Sequence, residues 1–160
     1  MADIVRMPSP EIIVRRAHMS DAPAIAEVYI ASRRGAAAYM PTVHTDDEIR
    51  AWVSDYLVPR LEVWVAESGG RIVGFLALEG EDMLDQLFIA PAMQRSGVGD
   101  RLLALAKELR PARLRLYTFQ RNTPARQFYE ARRFVAVDFN DGSRNEEKEP
   151  DVLYQWTPSK

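Results

Sequence analysis

The chain has no cysteine and only two histidines, His18 and His44. Without cysteine there can be no disulfide, no thiol nucleophile and no Cys-based metal site, a usage that fits a reducing compartment, so the cytoplasm is the expected location. Two isolated histidines do not make a metal site, and no metal is expected. No run of about eighteen apolar residues occurs, and MADIVRMPSP at the start has no apolar stretch of signal-peptide length, so neither a membrane span nor a secretory leader is expected. The net charge of −2 provides no basic field of the kind that draws in nucleic acid. There is no internal repeat, low-complexity tract or interdomain linker. What remains is an ordinary globular composition, 47% hydrophobic and 28% charged over 160 residues, enough for one domain with a substantial core. Residues 1–10 hold two prolines and little pattern, and read as a loose tail before a single domain over 11–160.

The chain is organised around MLDQLFIAPAMQRSGVGDRLLALAKEL, residues 83–109. Asp85, Leu87 and Ile89 alternate with Leu84, Gln86 and Phe88, a period of two in mostly apolar residues that predicts a largely buried strand ending at Ala90 and Pro91. From Val98, the residues Leu102, Leu105, Ala106 and Leu109 repeat at helical spacing. Gly97 and Gly99 stand at the junction, where unpaired N–H groups and the positive end of the helix dipole meet a backbone that a ligand can approach closely. Such a junction suits phosphate. QRSGVG lacks the lysine of a P-loop and the third glycine of a dinucleotide fingerprint, so an ordinary turn is the competing reading.

A resemblance adds to this. Gln94, Gly97 and Gly99 match the Gln/Arg-x-x-Gly-x-Gly/Ala signature of the GCN5-related N-acetyltransferase (GNAT) superfamily, and NTPARQFYEARRF, residues 122–134, resembles that family's later Asn, Ala, Phe-Tyr, Gly-Phe motif. The two motifs stand in the family's order, and the resemblance extends over roughly residues 11–157. One departure is Arg133, which occupies the place of the family's glycine and puts the tight turn into the next strand in doubt.

Strands are expected at 11–17, 62–68, 71–80, 113–119, 134–141 and 151–157 besides the central one, with Gly69 and Gly70 making a hairpin turn. Ser20 or Asp21 caps a helix that runs from Ala22 to Arg34 with Ile25, Val28, Tyr29 and Ser32 on its apolar face. Thr45 and Glu48 form a capping box opening a helix that Pro59 closes. A further helix covers Thr123 to Arg133. This order predicts an α/β (α+β) domain, a mixed sheet of about seven strands with helices on both faces. The resemblance implies the same architecture, the acyl-CoA N-acyltransferase fold.

The resemblance further implies acetyl-CoA as acyl donor, lying between the splayed strands 83–90 and 113–119. Backbone groups of Leu87, Phe88 and Ile89 would bond its pantetheine arm, one N–H acting as oxyanion donor. The loop of Gln94, Arg95, Ser96, Gly97, Val98 and Gly99 would cradle the pyrophosphate. Asn122 would bond the arm and Phe128 would pack near it. Tyr129 is the candidate general acid, since a phenol of ordinary pKa about 10 can protonate a leaving thiolate at neutral pH; a plain core aromatic is the alternative. An alkyl ammonium costs about 4–5 kcal/mol to deprotonate at pH 7, so a base helps. Asp85, on the side of Leu87 and Ile89, is the candidate, with Glu79, Glu81 and His44 as rivals and pairing with an arginine as the alternative role. Tyr39, Met40, His44 and Trp52 flank the acceptor region. The loop 145–150, NEEKEP, reads as solvated unless Glu146 or Glu147 attracts a cationic acceptor. The arginines at 110, 113 and 115 and at 126, 132 and 133 read mostly as solvated faces.

The function implied is acetyl transfer to a primary amine of a small molecule or peptide by direct attack in one ternary complex. A non-catalytic CoA-binding module and an acyltransferase with another donor are the alternatives. The last strand and its neighbour offer an edge at which a homodimer could pair.

Overall fold

The computed structural model describes residues 11–159; the tail expected over 1–10 lies outside the described residues. Seven strands form one sheet: β1 (Ile12–Arg16), β2 (Glu62–Ser68), β3 (Arg71–Glu79), β4 (Met83–Ile89), β5 (Leu114–Phe119), β6 (Val135–Asn140) and β7 (Asp151–Trp156). Their order is β1-β2-β3-β4-β5-β7-β6, antiparallel throughout except where β4 runs parallel to β5. The mixed seven-stranded sheet is thus as the sequence predicts. Gly69 and Gly70 turn β2 into β3 with φ of 58° and 77°, the left-handed pair that a two-residue hairpin needs.

Helices cover both faces. On one, α1 (Ala22–Gly35) and α2 (Asp46–Trp52) pack Ile25, Val28 and Ile49 against Val63, Val65, Phe75 and Ala77. On the other, α4 (Val98–Leu109) packs Val98, Leu102, Leu103 and Ala106 against Leu76, Leu78, Leu84, Leu114 and Leu116. Strand β3 therefore sends alternate residues into two cores, which is why RIVGFLALE is apolar almost without break.

Local details depart from expectation for physical reasons. Thr45 and Glu48 cap α2 reciprocally, but Pro59 does not stop the chain there. A widened π turn over Val53–Leu57 leads into the short α3 (Val58–Arg60), accommodating a proline that brings no N–H and would crowd a regular turn. Asp21 precedes α1 without capping it, because its carboxylate is taken by Arg15 at 2.8 and 2.9 Å and by the His18 N–H at 2.7 Å. Helix α5 (Thr123–Glu130) ends before Arg133, which itself adopts φ 71°. The Phe134 N–H then closes the turn on the Tyr129 carbonyl at 3.1 Å, so the turn forms without glycine at a cost of about 1 kcal/mol. The last strand is not an edge. β7 lies between β5 and β6, and it is its neighbour β6 that forms the outer edge of the sheet.

Candidate active site

The feature that makes a site is the junction of β4 and β5. The two strands share a single paired position, Met83 with Arg115, and then diverge into a cleft of about 530 Å³. This explains a departure from the sequence reading: apart from Leu84, β4 is only half-buried, since one of its edges faces the cleft.

The backbone of β4 can be read from its register. The Ala90 N–H bonds the Val73 carbonyl at 2.8 Å, and Gly74, Phe75 and Leu76 stand opposite Ile89, Phe88 and Leu87. Antiparallel pairs alternate between bonded and non-bonded, so Phe88 exchanges its bonds with Phe75, while Leu87 and Ile89 turn their N–H and C=O groups to the other edge, where β5 has moved away. Of the three residues expected to offer backbone groups, Phe88 is thus committed to β3 and brings its ring instead. The Ile89 carbonyl accepts from the buried Ser32 Oγ at 2.8 Å and more weakly from Gln94 Nε2 at 3.4 Å. The Leu87 N–H points to the same edge, and Leu87 lines the cleft.

A bulge changes the faces. Leu78 pairs with Leu84 but Ala77 with Gln86, leaving Asp85 as the extra residue. Strict alternation fails there: Leu84, Leu87 and Ile89 share the α4 core, and Asp85 does not share a side with Leu87 and Ile89 as the sequence period had it. Its carboxylate accepts from Gln86 Nε2 at 3.1 Å, and its charge adds a little to the desolvation that raises the pKa of Tyr29 in the α1 layer. No arginine pairs with Asp85 among the described residues; Arg113 and Arg115 both go to Asp82.

Leu87, Phe88, Asp85, Asn122 and Tyr129 are brought together as lining of this cleft. Asn122 is buried and caps α5, its Oδ1 accepting from the Ala125 N–H at 3.3 Å, which leaves the Nδ2 donors for another partner. Tyr129 packs its ring edge-on to Phe128 and Phe134 at 5.2 and 5.4 Å between centroids. Loss of solvation alone pushes its phenol well above the ordinary range. It is at once a packed aromatic and a cleft residue with no hydrogen-bond partner for its hydroxyl among the described residues.

The loop from Gln94 to Gly99 lies beyond this lining. Arg95 and Gly97 have φ of 63° and 91°, so successive N–H groups turn toward one concavity at the start of the twelve-residue α4. Nothing lies within 4 Å of where a Gly97 Cβ would be. Gly99 serves packing: a Cβ there would stand 3.3 Å from Phe128 Cζ, so α4 and α5 close on each other at that point. The Ser96 hydroxyl is occupied, donating to the Met93 carbonyl.

The remaining sequence candidates separate. Glu79 lies at the far end of the sheet beside Arg110, and Glu81 is exposed. His44 lies between Glu146 at 2.7 Å and Glu48 at 3.2 Å, whose hydrogen bonds raise its pKa, and it does not line the cleft. Of the expected acceptor-wall residues Met40 lines it, whereas Trp52 supports it from behind through Tyr29, 5.7 Å away. The arginines read as solvated are largely engaged: Arg110 with Glu62, Arg126 with the Tyr154 hydroxyl, and Arg132 with Asp100 and over the Phe128 ring at 3.8 Å.

Of the far wall, sequence reasoning offered only Glu147, as the alternative role of the acidic loop. Tyr29 and Arg33 of α1 line the cleft with Asn145, Glu147 and Asp151. The acidic loop is not merely solvated: the Asn145 amide bonds the Glu149 carbonyl at 2.7 Å and the Asp151 carboxylate at 3.2 Å, and its Oδ1 accepts from the Glu149 N–H at 3.1 Å. Ser32 left a signal, a polar residue in the apolar stripe of α1; Arg33, one of two adjacent arginines, left none.

A family model described as an acetyltransferase (GNAT) domain matches residues 59–136. The chain is similar to the peptidyl-lysine N-acetyltransferase YiaC of Escherichia coli, with 31% identity over 126 residues that span 79% of this chain and 85% of that protein. It is also similar to the peptidyl-lysine N-acetyltransferase YjaB of Salmonella typhimurium, 40% identical over 83 residues, 51% of this chain and 55% of that one. Among solved structures, the apo form of YjaB from Escherichia coli superposes with a TM-score of 0.77 at 22% identity, covering 93% of this chain and 99% of that one. PaiA N-acetyltransferase of Thermoplasma acidophilum, solved in complex with coenzyme A, gives 0.73 at 19% identity, with coverages of 92% and 99%. At these identities the two structures bear on the fold alone.

Proposed function

The chain belongs to the GNAT family of acetyl-CoA-dependent N-acetyltransferases, and from that premise we propose that it transfers the acetyl group of acetyl-CoA to a primary amine by direct attack within one ternary complex. The observation that carries this reading is the splay: β5 moves away from the β4 edge to which the register turns the Leu87 N–H, and Leu87 and Tyr129 both line the cleft that opens there. Unpaired amides beside a cleft are costly unless a ligand completes them. The residues present fit the donor. The turn of Arg95 to Gly97 and the first N–H groups of α4 would take its phosphates, with Gln94 and Ser96 fixing the loop and Val98 and Gly99 seating the helix. Asn122 Nδ2 would bond the pantetheine arm, and Phe128 would wall it.

In the transfer step the amine nitrogen bonds the thioester carbonyl carbon while the carbon–sulfur bond breaks. The Leu87 N–H would stabilise the developing oxyanion. Tyr129, which desolvation keeps protonated at neutral pH while making it a weaker acid than a free phenol, would give its proton to the departing thiolate, whose charge is itself desolvated in the cleft. Asp85, on the acceptor side, would receive the proton the amine sheds, directly or through water. Two of the relatives are named for peptidyl-lysine acetylation, which makes a lysine side chain the first acceptor to try. The domain over 11–160 would act as one unit.

The test is calorimetric titration with acetyl-CoA, followed by mass spectrometry of a lysine peptide incubated with enzyme and donor. Donor binding with a gain of one acetyl group supports the reading. Binding without transfer to any amine would favour a CoA-binding module, and transfer only from a longer acyl-CoA would favour a different donor.

A further inference from the structure

Two buried side-chain polar atoms among the described residues have no hydrogen-bond partner, Arg33 Nε and Asp151 Oδ1. Both residues line the cleft. Buried polar atoms are nearly always paired, so two orphans on residues lining one cleft mark where ligand atoms belong. One is a donor on a cation and the other an acceptor on an anion.

Arg33 is the more specific of the two. Its Nη1 donates to the Tyr29 hydroxyl at 2.9 Å, and the guanidinium lies over the Tyr29 ring at 5.2 Å, so its plane is fixed. Its Nη2 has Glu147 Oε1 at 3.9 Å, close enough for ionic attraction but too far for a hydrogen bond, and the side chain is only 12% exposed. The unengaged edge therefore carries Nε–H and Nη2–H side by side, the fork that a carboxylate accepts with both oxygens. A guanidinium taken this far out of water needs an anion to complete it. Had Glu147 been that anion, the pair would close to about 2.8 Å.

We propose that Arg33 is the acceptor-recognition residue of this enzyme: its Nε/Nη2 edge takes a carboxylate that the acceptor carries close to its amine, displacing Glu147. The proposal rests on the reading of the cleft as the site of acetyl transfer. Asp85 and Asp151 on the same cleft supply negative charge for the ammonium, so the acceptor is zwitterionic at this end. Such a carboxylate has two sources, the α-carboxylate of a free amino acid or an acidic side chain beside a lysine in a peptide.

Four probes separate these sources: lysine, lysinamide, and two short peptides that differ only in Asp or Asn next to one lysine. Binding of each to the full chain saturated with CoA is measured by calorimetry, on the parent and on Arg33→Gln and Arg33→Lys. The expected result is about tenfold tighter binding of the carboxylate-bearing member of one pair, and the pair that shows it identifies the source. Arg33→Gln abolishes the preference, and Arg33→Lys, which keeps the charge but not the fork, loses most of it. Thermal unfolding and CoA affinity show whether each variant is folded, and Arg33→Lys decides if Arg33→Gln is not. Equal binding within both pairs, no measurable binding of either carboxylate-bearing probe at millimolar concentration, or a preference surviving in the folded variants overturns the proposal. Acetylation is scored separately: transfer without the preference refutes the Arg33 assignment alone, and the preference without transfer refutes the acetyl-transfer reading while the recognition site stands.

Discussion

Arg115 is joined to Asp82 twice, by its backbone N–H to the Asp82 carbonyl at 2.7 Å and by its Nε to the carboxylate at 3.1 Å. This joint sits at the one position where β4 and β5 still pair, so it sets where the cleft begins. Arg113 reaches the same carboxylate at 2.8 Å, but it is half exposed and contributes less. Asp82→Ala is expected to cost about 2 kcal/mol, lowering Tm by about 4–8 °C. Affinity for acetyl-CoA should fall as well, because the strand ends are no longer held at a fixed spacing. Scanning calorimetry and donor titration check both; a stability loss with unchanged donor affinity would show that the joint does not shape the cleft.

Tyr129→Phe removes a hydroxyl that has no hydrogen-bond partner among the described residues, so folding stability at pH 7 should change little while the transfer rate falls by about 10²-fold or more. An unchanged rate would discard Tyr129 as the acid. The same phenol gives a pH signature. Its pKa is raised in the folded state, so the folded chain holds the proton more tightly than the unfolded one. The corresponding stability is complete below the unfolded tyrosine pKa of about 10 and is lost as pH rises beyond it. Between pH 9 and 11, Tm of the parent should therefore fall more steeply than that of Tyr129→Phe.

The architecture was legible because it depends on periodicity and punctuation. The helix from Val98 to Leu109, the glycine hairpin at 69 and 70 and the reciprocal cap of Thr45 and Glu48 are local devices, each stated by adjacent residues. The cleft was legible in part, since Leu87, Asn122 and Tyr129 lie on the segments that carry the family motifs. What the sequence could not show was register. The bulge at Asp85 moves one side chain to the other face of the sheet and commits the Phe88 backbone to β3, and no local composition marks it. The far wall was hidden for a related reason: Arg33 and Glu147 are more than a hundred residues apart and meet only once β6 and β7 bring the acidic loop back over α1.

Gly97 and Gly99 separate experimentally although they belong to one motif. Gly97 has φ 91° with open space around it, so Gly97→Ala strains the turn by about 1 kcal/mol and places a methyl group where the phosphates would come. Donor affinity is expected to fall by about tenfold or more with only a small drop in Tm. Gly99→Ala meets Phe128 at 3.3 Å and should act the other way, lowering Tm through the α4–α5 contact. Calorimetric titration beside thermal unfolding distinguishes them, and equal loss of donor affinity in both would mean that Gly99 also approaches the ligand.

The loop carrying Glu147 depends on Gly142. Its φ is 89°, and a Cβ there would stand 2.5 Å from the Glu149 carbonyl carbon, a distance no backbone atom tolerates, so in Gly142→Ala the loop must move as a whole. Asn145 would lose its bonds to Glu149, and the wall facing Arg33 would open. Because Leu87, Asn122 and the turn at Gly97 lie on other elements, donor affinity should stay within twofold of the parent, roughly the scatter expected for an uncoupled site. The KM for the amine acceptor should rise by about tenfold, with the loss of about 1–3 kcal/mol in stability that backbone strain of this kind carries. Steady-state kinetics varied in acceptor at saturating acetyl-CoA give the answer. A rise confined to the donor KM would place the loop on the wrong substrate and remove the reason for assigning this wall to the acceptor.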